Sequence, residues 1–345
     1  MITEDKSLLK QVKFIDLFAG IGGFHLALSA YGATCVFASE WDKYAAETYK
    51  ENFGIQPKGD ITKITVEDIP YHDILCGGFP CQAFSISGKQ RGFEDTRGTL
   101  FFDIARIINY HHPKVLFLEN VKNLLKHDNG QTINIIKETL HELGYSVFYK
   151  ILNSSQFGLP QNRERLYIVA FHNALNISEF QFPEPKNHPI CLEHLLEKNP
   201  QNAKIIERSD IEIYKDYSVE DTLFPELGFL NKPIQIGKVN KGGQGERIYH
   251  PLGHAITLSA YGGGVGAKTG LYLIEGKIRK LSPRECARIQ GFPESFIINS
   301  SISQAYKQFG NSVSVNVLQY IAKEIAIKLD NHNRQTKENI KIEYA

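Results

Sequence analysis

The strongest chemical signal in the sequence lies at 77–85, GGFPCQAFS, where Cys81 stands between Pro80 and a polar loop. A lone cysteine is ordinarily a small buried hydrophobe. A thiol on a rigid glycine–proline loop at a strand end is presented instead, and its thiolate would be a nucleophile. Cys35 and Cys76 fall within strand patterns and read as core. Glu119 closes the apolar run 115–118, with Asn120 and Val121 after it. An acid at that strand end points into the same crevice as Cys81, and the apolar context argues against a plain surface carboxylate. Farther on, 161–167 reads QNRERLY. Arg163 and Arg165 are two apart and share one face of a strand. Either suits a carboxylate, a phosphate or a base carbonyl; surface ion pairing is an equal alternative.

A second group of residues lies nearer the N-terminus. The stretch 14–24, FIDLFAGIGGF, runs a hydrophobic strand into a glycine-rich turn and then a helix. Small residues let the backbone approach a ligand, and the helix start offers free N–H groups. The glycine spacing is not GxGxxG, so the dinucleotide fingerprint is absent. Glu40 ends the second strand, 20 residues after Gly20, where an acid commonly binds ribose hydroxyls. Trp41, the only tryptophan, follows and suits stacking on a purine. Asp60, after a third candidate strand, suits an adenine amino group. Tight strand–helix packing is the alternative for the turn alone. Turn, acid and aromatic together favour a nucleoside-bearing cofactor, and spacing does not separate NAD from S-adenosylmethionine.

Positioning these residues requires a particular set of elements. Strands are expected at 13–18, 34–38, 73–76, 115–118, 146–152 and 166–171, and helices at 22–31, 43–52, 101–110 and 131–143. That alternation predicts an α/β fold with a doubly wound, mostly parallel sheet and ligands beyond its strand C-termini. The segment 182–189 reads as a linker. Beyond it, nine of the 28 glycines crowd into 241–270, which predicts a smaller loop-rich domain with short strands such as 271–274. A helix is expected at 283–290, with proline in its first turn. The last helix is expected at about 315–329, followed by a frayed polar tail.

At 345 residues and 42% hydrophobic, the chain has room for two unequal domains with a sizeable core. The five scattered cysteines form no CxxC pair, so neither a disulfide framework nor a structural zinc is expected. The first residues lack a signal peptide's apolar stretch, and no run of about 18 apolar residues occurs, so a cytoplasmic protein without a membrane span is expected. Net charge is +1, but its distribution is uneven. Residues 201–230 carry three Lys/Arg and seven Asp/Glu, whereas 232–284 carry nine Lys/Arg and two acids. A phosphate-facing stretch and a solvated face balanced elsewhere explain this equally well.

The blocks taken together resemble the C5-cytosine DNA methyltransferase family: DLFAGIGGF, Glu40–Trp41, GFPCQAFS, Glu119–Asn120–Val121, QNRERLY, RECARIQGFP at 284–293 and FGNSV at 309–313. They occur in the family's order and span nearly the whole chain. The likeness is closest to the branch that methylates the inner cytosine of GCGC, and it fades over 173–238. The resemblance implies base flipping, which is the handling expected of such enzymes, with Cys81 attacking C6. Glu119 would hydrogen-bond N3 and the 4-amino group, and Arg165 would hold O2 with support from Arg163 and Asn120. It implies S-adenosylmethionine as cofactor, bound by Phe18, Gly20, Gly23, Glu40, Trp41, Asp60, Ile61, Pro80, Leu100 and Asn311. The sulfonium is already electrophilic, so no metal is expected. A mobile loop over 83–98 would carry Ser85, Ser87, Lys89, Arg91 and Arg97 to the DNA. Gln244, Arg247, Tyr261 and Gly264 would read the target, with Arg247 suited to guanine, and Thr257 would meet a phosphate. Gln244 and Ser87 would fill the gap left by the flipped base.

By the same resemblance, 1–192 with 300–345 forms a catalytic, cofactor-binding domain, 193–282 a target-recognition domain and 283–299 a hinge. A monomer acting on double-stranded DNA beside a cognate restriction endonuclease is expected. Two other readings stand beside it. One is a tRNA cytosine-5 methyltransferase, against which the developed region 231–276 argues. The other is a non-catalytic DNA-binding module, against which intact Cys81, Glu119 and Arg165 argue.

Overall fold

The structure, a computed structural model, describes residues 7–80, 100–186, 190–214 and 232–343, with side chains followed to Arg334. Six strands of the first part are β1 (Lys13–Leu17), β2 (Thr34–Ser39), β3 (Ile74–Gly78), β4 (Val115–Val121), β5 (Tyr145–Asn153) and β6 (Glu164–His172). They form one sheet in the order β2-β1-β3-β4-β6-β5. The β2, β1, β3 and β4 strands run parallel, and β6 is antiparallel to both its neighbours. Successive side chains alternate faces, and here both faces are apolar. Phe14, Val115, Phe117 and Val169 enter one core, while Ile15, Leu116, Leu118 and Ile168 enter the other.

Helices cover both faces. The first core receives α1 (Gly23–Ser29) through Phe24 and Leu28. The second receives α3 (Leu100–His111) through Ile104 and Ile108, and α4 (Gln131–Glu142) through Ile136 and Leu140. Between them in sequence, α2 (Lys43–Phe53) starts at Asp42, whose carboxylate accepts from the N–H groups of Tyr44 and Ala45. Strand order reverses between β1 and β3, the place where a doubly wound sheet opens a crevice.

Four features depart from the sequence reading. Glu119, Asn120 and Val121 lie within β4, paired to Tyr167, Leu166 and Arg165, not beyond its end. No strand lies between β2 and Asp60, where the sequence predicts a third; Lys58 makes only an isolated bridge to Ser39. Part of the expected linker is core, because Phe182 packs with Phe180 against the first face; residues 187–189 lie outside the described residues. The region expected to be loop-rich, with a short strand at 271–274, has that strand as β10 but joins it into a second sheet: β7 (Glu212–Ile213), β8 (Ile234–Lys238), β9 (Arg247–His250), β10 (Leu271–Ile274) and β11 (Lys277–Arg279), in the order β11-β10-β9-β8-β7. Strands of two to five residues give too little alternation to register as a pattern. They enclose a small core of Ile234, Ile236, Ile248, Leu271 and Ile278.

Three helices follow. Ser282 opens α5 (Pro283–Ile289) with a reciprocal capping box to Glu285. An unanticipated α6 (Ile302–Asn311) is capped by Ser301. The last, α7 (Val315–Glu343), buries Val317, Leu318, Ile321 and Ile325 in the first core and continues past the expected end at 329. No glycine or proline lies between 330 and 343 to stop it. Among the described residues, no helix is long and apolar enough to cross a membrane.

One buried ion pair ties β11 to α5. Arg279 donates to both oxygens of Glu285 at 2.8 Å, and the two residues are 5% and 0% exposed. Glu285→Ala leaves a buried guanidinium without its counter-charge, and a loss of about 3–5 kcal/mol is expected. Urea unfolding measures it; a midpoint equal to wild type would contradict this role.

Candidate active site

The C-terminal ends of β1, β2, β3 and β4 open onto one cavity of about 690 Å³. One half of its lining carries the residues marked for a nucleoside. Phe18 sits at φ +53, a backbone region that bulky residues seldom adopt and that concentrates at functional sites. Gly20 follows at φ +54, with open space where a side chain would stand. Its N–H donates to Glu40 Oε2 at 2.8 Å, and the Asp42 N–H donates to Oε1 at 2.7 Å. The carboxyl is therefore fixed, and each oxygen keeps a further lone pair for a hydroxyl. Burial raises the Glu40 pKa, and those backbone donors oppose it. Trp41 beside it is 83% exposed, a large ring left on the cavity rim. Asp60 accepts from the Thr62 hydroxyl at 2.8 Å and from its N–H at 3.1 Å. These donors hold its carboxyl below the usual range, so it is ionised at neutral pH. Ile61, Pro80, Leu100 and Asn311 complete this half. Gly23 is not part of the lining; it lies against Val313, where a Cβ would come within 2.3 Å of a methyl group.

The other half is polar and buried. Glu119 and Arg165 meet on its wall, Oε1 to Nε at 3.1 Å, with side chains 10% and 16% exposed. Burial raises the Glu119 pKa; Arg165 first and Arg163 second act against that rise. Arg163 is itself 3% exposed and donates to backbone carbonyls: Nη1 to Leu258 at 3.0 Å, Nη2 to Ser312 at 2.6 Å and to Gly310 at 3.2 Å. Burial, then Arg165, lowers its pKa to about 9, which leaves it cationic at neutral pH. Period-two spacing put both arginines in one place, but with different work: Arg165 faces the carboxyl, and Arg163 fastens backbone. Asn120 Nδ2 donates to the Phe79 carbonyl at 2.8 Å, which fixes the chain just before Pro80.

Cys81, Ser85, Ser87, Lys89, Arg91 and Arg97 lie outside the described residues. The four described cysteines are all buried. Burial pushes the Cys35 thiol up to about 12 and raises those of Cys76, Cys191 and Cys286, so none is poised as a thiolate.

The residues marked for target reading sit together on the second sheet's loops. Gln244 and Arg247 are exposed on a turn leading into β9. The backbone at Gly245 accepts from Gly266 N–H at 2.7 Å, so the segment holding Tyr261 and Gly264 lies against that turn. Gly264 takes φ +90 there, 3.0 Å from the Gly245 oxygen at its would-be Cβ. Thr257 is exposed, and its hydroxyl donates to the Asn162 carbonyl. Tyr261, 73% exposed, also reaches the rim of the cavity. The basic stretch is less available than its composition suggested. Arg279 is buried on Glu285, Lys238 pairs with Glu212 at 3.1 Å, and Arg284 donates to the Phe296 carbonyl.

Sequence reading missed Lys307 and Gln308 on α6, which also line the cavity. Lys307 Nζ donates to Asp42 Oδ2 at 2.6 Å, and Gln308 donates to the Tyr44 carbonyl at 3.0 Å. Together they lock α6 onto the start of α2. The signal was present: a serine cap followed by buried Ala305, Tyr306, Gln308 and Phe309 at helical spacing.

A nucleoside-sized crevice at parallel strand ends, sharing a wall with a buried carboxyl–arginine pair, defines an α/β enzyme that brings a nucleoside-bearing cofactor to a polar ring. Residues 12–327 match the C-5 cytosine-specific DNA methylase family, and the chain belongs to it. It is 55% identical over 331 residues to the type II methyltransferase M.HhaI of Haemophilus parahaemolyticus, covering 96% of this chain and 99% of that one. It is 46% identical over 309 residues to the type II methyltransferase M.NgoBI of Neisseria gonorrhoeae, covering 89% and 90%. The crystal structure of the S. pombe Dnmt2 methyltransferase shares the fold, with a TM-score of 0.66 at 23% identity over 93% of this chain and 99% of that one. The protein is thus a DNA (cytosine-5) methyltransferase whose methyl donor is S-adenosylmethionine. The lining suits that donor: the fixed Glu40 carboxyl, the exposed Trp41 indole and the ionised Asp60 would be able to take its ribose, its purine and its amino group.

Proposed function

We propose that the enzyme methylates the inner cytosine of GCGC, flipped out of duplex DNA into the Glu119–Arg165 half of the cavity. The observation that carries this reading is the buried Glu119 carboxyl, held up in pKa yet hydrogen-bonded to Arg165, on the wall shared with the cofactor residues. S-adenosylmethionine supplies an electrophilic methyl group on its sulfonium. Cys81 adds to C6, and the ring becomes an enamine that is nucleophilic at C5. Glu119 donates its proton to N3 and accepts from the 4-amino group, which takes up the electron density sent into the ring. Arg165 holds O2, while Arg163 and Asn120 keep the surrounding backbone in register. Loss of the C5 proton and departure of Cys81 restore aromaticity. Phe18, Gly20, Glu40, Trp41, Asp60, Ile61, Pro80, Leu100 and Asn311 bind the cofactor, with Gly23 acting from behind by letting α1 sit close.

The second sheet, Glu212 to Arg279, with its own core supports a target-recognition domain over 193–282, linked by a hinge at 283–299. The packing of α7 on the first sheet supports a catalytic domain made of 1–192 and 300–345. Gln244, Arg247, Thr257, Tyr261 and Gly264 read or hold the DNA. Ser85, Ser87, Lys89 and Arg97 join them as DNA contacts. The relatives' description as type II methyltransferases supports a protective role beside a nuclease of the same specificity; the enzyme is proposed to act as a cytoplasmic monomer. Chromosomal DNA unmethylated at GCGC would count against that role.

A GCGC duplex treated with enzyme and donor, then digested to nucleosides, is expected to yield 5-methylcytosine, and a duplex with the inner cytosine replaced by thymine is expected to yield none. Modification of the exocyclic nitrogen instead would overturn the mechanism. Trp41→Ala is expected to weaken S-adenosylmethionine about tenfold, the weight of a lost stacking face. Calorimetric titration reads this, and unchanged affinity would remove Trp41 from the site.

A further inference from the structure

A chain of buried side-chain amides joins the loops that would meet DNA to the strand that carries Arg165. Gln161, fully buried, accepts from the Leu258 N–H at 2.9 Å through Oε1. Its Nε2 donates to the Ile289 carbonyl at 3.3 Å and to Gln290 Oε1 at 3.2 Å. Gln290, also fully buried, donates through Nε2 to the Phe309 carbonyl at 2.8 Å. Its Oε1 accepts in addition from Ser314 Oγ at 3.2 Å. Four segments meet in this chain: the approach to β6, the stretch ending in Tyr261, the end of α5 and the end of α6 with the turn into α7.

Buried amides are costly unless their polar atoms are paired, and paired networks fix a single geometry. Both amide ends of both glutamines are engaged here. Leu258 is held by each of its backbone groups, its N–H by Gln161 and its carbonyl by Arg163. At the next two residues there is no slack. A Cβ on Gly310 would stand 2.2 Å from the Ser259 carbonyl carbon and 2.3 Å from the Ala260 nitrogen. Displacement of 257–261 therefore moves Arg163, which is two residues from Arg165 and its partner Glu119.

We propose that Gln161 and Gln290 are positioning residues for methyl transfer, transmitting the seating of DNA on 257–264 to the Glu119–Arg165 pair. The inference rests on the reading of that segment as DNA-facing. Neither glutamine lines the cavity, so their effect is on alignment and not on cofactor binding.

Gln161→Met and Gln290→Met keep length and remove the amide; the double variant completes a cycle. For each variant, kcat at saturating DNA, KM for DNA, the Kd for S-adenosylmethionine and the melting temperature are measured. So is the ratio of kcat/KM between the target duplex and duplexes altered at one base. Misplacement of reacting groups by a fraction of an ångström to about 1 Å lowers rates by factors of ten to a hundred. The expected result is a kcat about tenfold lower in each single variant, a reduced discrimination ratio and a cofactor Kd within about twofold of wild type. The double variant is expected to be no worse than either single, because the two amides act as one unit. A folded variant with wild-type kcat and discrimination would overturn the proposal, as would a loss confined to cofactor Kd. If the methionine variants do not fold, Ser314→Ala removes one donor to Gln290 Oε1 and is read the same way. Several-fold lower kcat supports the proposal, and unchanged kcat and discrimination overturn it. Tyr261→Ala and Thr257→Ala, assayed in parallel, separate the two readings. If neither changes KM for DNA, the DNA-facing reading fails, whatever the glutamine variants do.

Discussion

Cys81→Ala is expected to abolish methyl transfer, by on the order of 10⁴-fold or more, while S-adenosylmethionine and DNA still bind. Cytosine C5 is a poor nucleophile until something adds at C6. Among the described residues of that wall, the buried carboxyl of Glu119 and the two arginines offer no such nucleophile, and the addition is assigned to the Cys81 thiolate. The four described cysteines are buried with raised thiol pKa values, so none can substitute for Cys81. Nothing in the cofactor half of the cavity depends on the thiol, which is why binding should persist. Transfer of labelled methyl, with gel-shift and calorimetric binding beside it, reads all three quantities. Residual transfer within about tenfold of wild type would mean that another group attacks C6.

Glu119→Gln is expected to lower kcat about 10²–10³-fold, because it removes the proton that meets the developing charge at N3. It also changes the pH profile, and the sign follows from the cause of the shift. Burial raises the Glu119 pKa above its ordinary value. The protonated, donating form is therefore populated below that raised pKa and is lost as pH rises through it. Wild-type kcat should fall on the alkaline side of this ionisation, and the glutamine variant should lack that limb. A wild-type profile that rises through the same range would show that the carboxylate, and not the acid, is the working form. The Arg165–Glu119 contact at 3.1 Å makes Arg165→Ala a natural companion, since losing the cation should raise the Glu119 pKa further and shift the limb to higher pH.

Much of this site was legible because its residues sit at strand ends whose apolar runs are strong. Lys13–Leu17, Thr34–Ser39 and Val115–Val121 bury both faces, so their composition marks them as strands of a sheet covered on both sides. Glu40 and Glu119 stand out as the first acids after such runs. Gly20 was readable as a turn, and its positive φ bears that out. Other parts were not legible. The second sheet is built from strands too short to show a period. Helix α6, by contrast, carried a legible serine cap and helical spacing that were passed over, so Lys307 and Gln308 went unseen. The different work of Arg163 and Arg165 depends on carbonyls 95 to 149 residues away, and local sequence carries no trace of those. Gly23 sat in a motif that reads as cofactor-binding, while its environment is the methyl group of Val313.

The most direct test is transfer of labelled methyl from S-adenosylmethionine to three short duplexes, one containing GCGC, one containing GGCC and one scrambled. Label on GCGC alone is the result expected from a flipped inner cytosine read by Gln244, Arg247 and Tyr261. Label on another duplex would keep the chemistry of Cys81 and Glu119 and contradict the assigned target; no label on any duplex would contradict the account at its centre.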